Sequence, residues 1–253
     1  EEYAAIAATV DTLVAPVNIA AFGEPTDIDR NGRIAVLFTR AVNELTPRGS
    51  GGVVLGFYYS RDLLPRSGAA GACPGSNTGE IFYVMVPDPE AVLGDARTKL
   101  YVQGIAISTV AHELQHLINA SRRMYVTRTQ ETIEETWLNE GLSHIAEELV
   151  FYRASGLAPR QNIAGAQLSL GTPVREFHER FMRGNFGRYA QFLDATQSTS
   201  PMAGNDQLAT RGASWAFLRY VADRAGAADG DLWHRVGEGR RTGAVHLHPG
   251  LAG

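Results

Sequence analysis

Apolar residues at Tyr3, Ile6, Val10, Leu13 and Val14 recur with a helical period, predicting a helix over residues 2–14 that Pro16 ends. The pattern then shifts to short runs of branched and aromatic residues. Arg33–Phe38 and Val53–Tyr59 read as strands, and Glu80–Val86 is the strongest strand signal, stopped by Pro87 and Pro89. Asn31-Gly32 before the first strand is a hairpin signal. Residues 64–80 carry Gly68, Gly71, Gly75, Gly79, Pro65 and Pro74 and read as a long loop. From Tyr101 the 3.6-residue period returns at Ile107, Val110, Ala111, Leu114, Leu117 and Ile118. A further helix is expected from a Thr132-x-x-Glu135 capping box to about Arg153, and a last one over Ala213–Arg224, ended by Gly226. Strands followed by helices predict an α+β fold.

Composition narrows the classes. Hydrophobic residues make up 44% of the 253 and charged residues 20%, enough for a real core. A net charge of -4 with scattered arginines argues against nucleic acid as a partner. No run of about 18 apolar residues stands out, so no membrane span is expected. The chain opens on Glu1, and a signal peptide is expected to be absent from it. Cys73 is the one cysteine, which excludes an intrachain disulfide and a thiolate metal cluster.

The chemistry concentrates in His112-Glu113-Leu114-Gln115-His116. Residues i and i+4 share one helical face, so two imidazoles can converge on one ion. Zinc takes such nitrogens at about 2.0–2.1 Å and keeps a fourth position for water at catalytic sites. Glu113, next to a ligand but not at ligand spacing, suits the general base that takes a proton from water. The surrounding helix is apolar, so three polar residues there need a reason. Glu140 and His144, four apart on the second helix, are both candidates for a third ligand. Glu134, Glu135, Glu147 and Glu148 read as solvated helix charges, and His178, His234, His246 and His248 as surface residues. Trp137 and Trp215 read as core, and Tyr83 as a packing aromatic. Asp27, Asp29, Asn31 and Gly32 match the first half of a calcium loop, but Phe38 stands where the closing Glu belongs. The reading preferred there is a polar turn, with calcium left open and unsupported by a complete loop.

The blocks Val110–His116 and Trp137-Leu-Asn-Glu-Gly-Leu-Ser143 resemble the gluzincin metallopeptidases, and best of all the hyicolysin-type neutral metallopeptidases of bacteria. Gly79–Tyr83 and Gly212–Tyr220 add to the likeness, which is spread over residues 27–225. The resemblance implies a zincin-like fold with the active site between an N-terminal sheet lobe and a C-terminal helical lobe. It also implies one catalytic zinc, hydrolysis of protein or peptide substrates, and a secreted bacterial setting. By it Glu140 is the third ligand beside His112 and His116, and His144 lies one turn beyond, able to orient a ligand. Arg211, where a Tyr is expected, is the candidate oxyanion donor, with Tyr189 next. Gly141 after Glu140 would let another segment come close. One catalytic domain over residues 1–253 is expected: a sheet lobe to about 98, the site helix over about 99–121, then the helical lobe. The Gly-x-Met-Glu-Asn motif of aminopeptidases is absent, which favours an endopeptidase. The alternatives are an aminopeptidase or a zinc-binding pseudo-peptidase without turnover; a structural zinc is disfavoured for want of cysteines. Oligomeric state is not readable from the chain.

Overall fold

The computed structural model describes residues 2–68, 71–128, 133–226, 229–238 and 243. The elements run α1 (Glu2–Thr9), α2 (Ala15–Phe22), β1 (Ala35–Phe38), α3 (Arg40–Glu44), β2 (Gly56–Tyr58), β3 (Ile81–Val84), α4 (Lys99–Ser121), α5 (Thr136–Ser155), α6 (Pro173–Phe181), α7 (Arg183–Asp194), α8 (Leu208–Ala225) and α9 (Asp229–Glu238). The fold is α+β, as expected, and consistent with a zincin-like arrangement.

Pro16 does not end the first helix. A π-helical turn at Val10–Val14 joins α1 to α2, and Pro16 falls in the first turn of α2. Pro16 follows directly on the widened π turn, and that irregularity accommodates a residue with no N–H to give. The helical stretch stops instead at Gly23, with φ +94°. Residues 2–22 thus form 21 helical residues of mean hydropathy 1.6, long and apolar enough to cross a membrane or to serve as a signal sequence. That corrects the expectation that the chain has no such segment. In the fold, Val14, Asn18, Ala21 and Phe22 are buried, and α2 packs on α4, α5 and α9. Helices therefore precede the strands, and the N-terminal stretch lies against the helical side rather than within a sheet lobe.

The sheet has three strands in the order β1-β3-β2, with β1 parallel and β2 antiparallel to β3. Asn31-Gly32 forms no hairpin: the Asn31 and Gly32 N–H groups donate to the Asp27 and Asp29 carboxylates, and β1 pairs with the distant β3. Placing β2 at the sheet edge sets it beside α4.

The Thr98 hydroxyl caps α4 by accepting from the Tyr101 N–H. Val110, Ala111, Leu114, Leu117 and Ile118 on α4 meet Leu138, Leu142 and Ile145 of α5 in the core. Helix α5 begins at Thr136 without a side-chain cap, and Thr132 of the expected capping box lies outside the described residues. It ends at Gly156, with φ +66°. Helix α8 starts at Leu208, five residues earlier than its apolar pattern suggested, and ends at Gly226 as expected.

Close helix crossings use glycines. A Cβ at Gly141 would lie 2.7 Å from Leu218 Cδ1 on α8. A Cβ at Gly212 would lie 2.4 Å from the Arg188 carbonyl carbon and the Tyr189 nitrogen, both backbone atoms of α7. Backbone cannot rotate away, so Gly212→Ala must force α7 and α8 apart. A loss of about 1–3 kcal/mol is expected from such overpacking, read as a fall of several degrees in calorimetric Tm. An unchanged Tm would show that the crossing is looser than its geometry.

Candidate metal centre

Helix α4 carries His112, Glu113 and His116; α5 crosses it and presents Glu140, Ser143 and Glu147, at i, i+3 and i+7, on the facing side. His112 Nε2 lies 3.3 Å from Glu140 Oε2, and His116 Nε2 lies 3.6 Å from Glu140 Oε1. The two imidazole rings stand edge to face at 4.8 Å. The three residues line a cleft of about 690 Å³, together with Leu55, Tyr58 and Arg211.

Each imidazole is held from behind. His112 Nδ1 is 2.7 Å from Glu147 Oε1, and His144 Nδ1 reaches the same oxygen at 3.1 Å. Burial alone would raise the Glu147 carboxyl pKa, but His144 and His112 drive it well below the usual carboxylate range. An ionised carboxylate only accepts, so both Nδ1 atoms carry hydrogen. The Nε2 of a neutral His112 is then a free lone pair directed at Glu140. The Ser143 hydroxyl, which donates to Gln115 Oε1 at 2.7 Å, lies against the His116 ring at 3.1 Å from Nδ1 and 3.3 Å from Nε2.

The electrostatics call for a cation. Burial pulls the His112 pKa down, but Glu140 and Glu147 outweigh it and push it up to about 10. Burial works against ionised Glu140, yet His116, His112 and Arg211 hold its carboxyl below the usual range. A proton on His112 thus sits between two carboxylates where an ion would stand, and binding a metal would expel it. Burial pulls the His144 pKa down to about 4, leaving that ring neutral.

Two overlapping groups can hold a metal: His112, His116 and Glu140, or His112, His144 and Glu147. Atoms bound to one tetrahedral zinc at about 2.0–2.1 Å stand about 3.3 Å apart. In the first group the two nitrogen-to-carboxylate distances, 3.3 and 3.6 Å, are close to that spacing. In the second, 2.7 and 3.1 Å are hydrogen-bond separations, and His144 is only 1% exposed.

Glu113 is 8% exposed and accepts from the Tyr58 N–H at 2.8 Å, so the edge strand β2 fixes the carboxylate beside the imidazoles. Burial raises its pKa, with the two imidazoles and the Tyr58 N–H opposing. Arg211 places Nη1 2.7 Å from Glu140 Oε2, and its Nε and Nη2 donate to both Asp206 oxygens at 2.7 and 2.6 Å. Tyr189 packs on Trp215 and Phe192 and does not line the cleft; its neighbour Arg188 does.

Several polar residues differ from expectation. Among the described residues the side chain of His144 reaches Glu147 by hydrogen bond, and it is Glu147, read as a solvated charge, that bonds His112. Glu148 is buried, accepting from Trp215 Nε1 at 2.7 Å with Arg219 Nε at 2.9 Å, and Glu134 is sealed against Arg123 at 3.2 Å. Glu135 is exposed, as expected. Trp137 and Trp215 are core residues. His178 is half-buried between Phe151 and Phe186. His234 is partly exposed, and His246 and His248 lie outside the described residues. Tyr83 stacks on Phe57 as a packing aromatic, while its hydroxyl donates to Asp62 Oδ2 at 2.6 Å. The i+7 spacing of Glu147 from Glu140 was the available signal for its role, because it puts both carboxylates on one face of α5.

No model of a known protein family matches the chain. Over 139 residues it is 27% identical to the neutral metalloprotease ShpI of Staphylococcus hyicus. That likeness supports a metallopeptidase family. The match covers 55% of this chain and 28% of the length of ShpI, so the chain spans well under a third of that relative.

Proposed function

We propose that the chain is a zinc-dependent peptidase of the gluzincin type, acting as an endopeptidase with His112, His116 and Glu140 as metal ligands. The observation that carries this reading is the convergence of two imidazole Nε2 atoms on the Glu140 carboxylate, at 3.3 and 3.6 Å, on the wall of a 690 Å³ cleft. Two neutral imidazoles and one carboxylate suit zinc, and His₂Glu is a set that zinc peptidases use. A bound zinc would polarise the scissile carbonyl and acidify the attacking water.

The chain's own residues supply the rest. Glu113, made more basic by burial and aimed by the Tyr58 N–H, accepts the proton of the attacking water and returns it to the leaving nitrogen. Glu147 keeps Nδ1–H on His112, so that its Nε2 lone pair faces inward, and Ser143 packs against the His116 ring. Arg211 steadies ionised Glu140 and lines the cleft, where its guanidinium is the candidate partner for an oxyanion. Strand β2, at the sheet edge along the cleft, offers backbone to an extended peptide. A protein substrate and an extracellular setting belong to this reading and rest on the resemblance. The absent Gly-x-Met-Glu-Asn motif supports internal rather than amino-terminal cleavage.

The test is metal content together with casein cleavage. One zinc per chain is expected, with cleavage lost to a chelator and restored by zinc. A zinc-loaded chain that leaves casein and a peptide library intact overturns the catalytic reading in favour of a binding protein.

A further inference from the structure

We propose that Asp27, Asp29 and Glu80 form a calcium site that pins the turn before β1 to the start of β3. Taken as a linear motif, the Asp27-x-Asp29-x-Asn31-Gly32 turn lacks its closing carboxylate, because Phe38 stands at the twelfth position. The fold supplies one from elsewhere. Strands β1 and β3 pair in parallel with Ala35 opposite Ile81, and the Ala35 N–H donates to the Glu80 carbonyl at 2.8 Å. That register sets Glu80 at the mouth of the aspartate turn. Ligand atoms of Asp27, Asp29 and Glu80 all lie within 4.8 Å of one another. Two oxygens on opposite sides of a calcium ion, each at about 2.3–2.6 Å, are separated by about as much.

The buried carboxylate is the second, independent observation. Glu80 is 2% exposed. Its Oε1 accepts from the Ile28 N–H at 3.0 Å and the Thr26 hydroxyl at 3.4 Å, while its buried Oε2 has no hydrogen-bond partner among the described residues. A sealed carboxylate oxygen without a partner is costly, and two aspartates beside it add repulsion. Burial, and Asp29 to a lesser degree, raise the Glu80 pKa. Gly79 belongs to the same arrangement: a Cβ there would lie 3.2 Å from Asp29 Oδ2, so the missing side chain lets the aspartate close on the strand. The donors are all hard oxygens, and Asp27 and Asp29 are exposed enough to leave room for waters, which suits calcium and disfavours zinc. This inference is independent of the peptidase reading.

The experiment is thermal unfolding of the zinc-loaded protein with calcium or with a calcium-selective chelator, zinc content being measured in each sample. Near a hundredfold excess over Kd, calcium is expected to raise Tm by about 5–10 °C. Asp27→Asn and Asp29→Asn also touch the N–H bonds that close the turn, so each variant's calcium-free Tm is its own baseline, and the calcium increment above it should disappear. Glu80→Gln should keep or raise the calcium-free Tm, because it removes an uncompensated charge, and should also lose the increment. No increment up to about 10 mM calcium, well above the weakest affinities of extracellular calcium modules, overturns the proposal. An increment retained by Asp29→Asn overturns it equally.

Discussion

Glu113→Gln is expected to lower peptide hydrolysis by about 10²–10⁴, the usual contribution of a positioned acid–base group, while zinc stays bound at the parent stoichiometry. The glutamine keeps the shape of the side chain and can still accept from the Tyr58 N–H, so β2 and α4 hold their places. What it loses is the lone pair able to take a proton at neutral pH. Zinc should remain because Glu113 is absent from the ligand group: the converging atoms belong to His112, His116 and Glu140. The fold should also survive. Burial raises the Glu113 pKa, so its ionised form is the one the folded state disfavours, and a neutral replacement leaves Tm equal or higher. Single-turnover kinetics, zinc content and Tm on one preparation check all three points. A variant that sheds its metal, or that cleaves at near the parent rate, would end the assignment of Glu113 as base.

Zinc affinity should fall in the order Glu140→Ala, then Glu147→Gln, then His144→Ala. Glu140 is the carboxylate on which both Nε2 atoms converge, so its removal costs a direct ligand and leaves Arg211 facing the two histidines unpaired from it. The loss should exceed the roughly 10–100-fold typical of groups standing behind the ligands. Glu147→Gln falls within that range: the amide oxygen can still accept from His112 Nδ1, but the negative charge that strengthens the imidazole is gone. His144 touches the centre only through Glu147, so its loss should be smaller still. Competition with a chromophoric chelator at fixed pH gives the three constants. If Glu147→Gln removed the metal while Glu140→Ala kept it, the ion would belong to His112, His144 and Glu147 instead.

Much of this was legible along the chain because it depends on local periods. The spacing of His112 and His116 puts two imidazoles on one face of any helix, and the apolar residues around them require that helix. Glu140 stood out through its block, and Gly156 and Gly226 end their helices in the left-handed conformation that glycine alone adopts freely. The strand Ile81–Val84 announced itself by branched and aromatic residues between breakers.

The rest depended on which segments meet, and no local pattern records that. Glu147 looked like a solvated charge because glutamate usually is one; only the crossing of α5 over α4 puts it 2.7 Å from His112. Pro16 looked like a stop, and the π turn before it let the helix run on through it. Phe38 told against a calcium loop until parallel pairing of strands more than forty residues apart in sequence brought Glu80 beside Asp27 and Asp29. The sequence by itself determined which side chains have the chemistry for a metal and on which helix faces they lie. Tertiary packing decided their partners, since the free energy of a buried charge is set by what the fold brings against it.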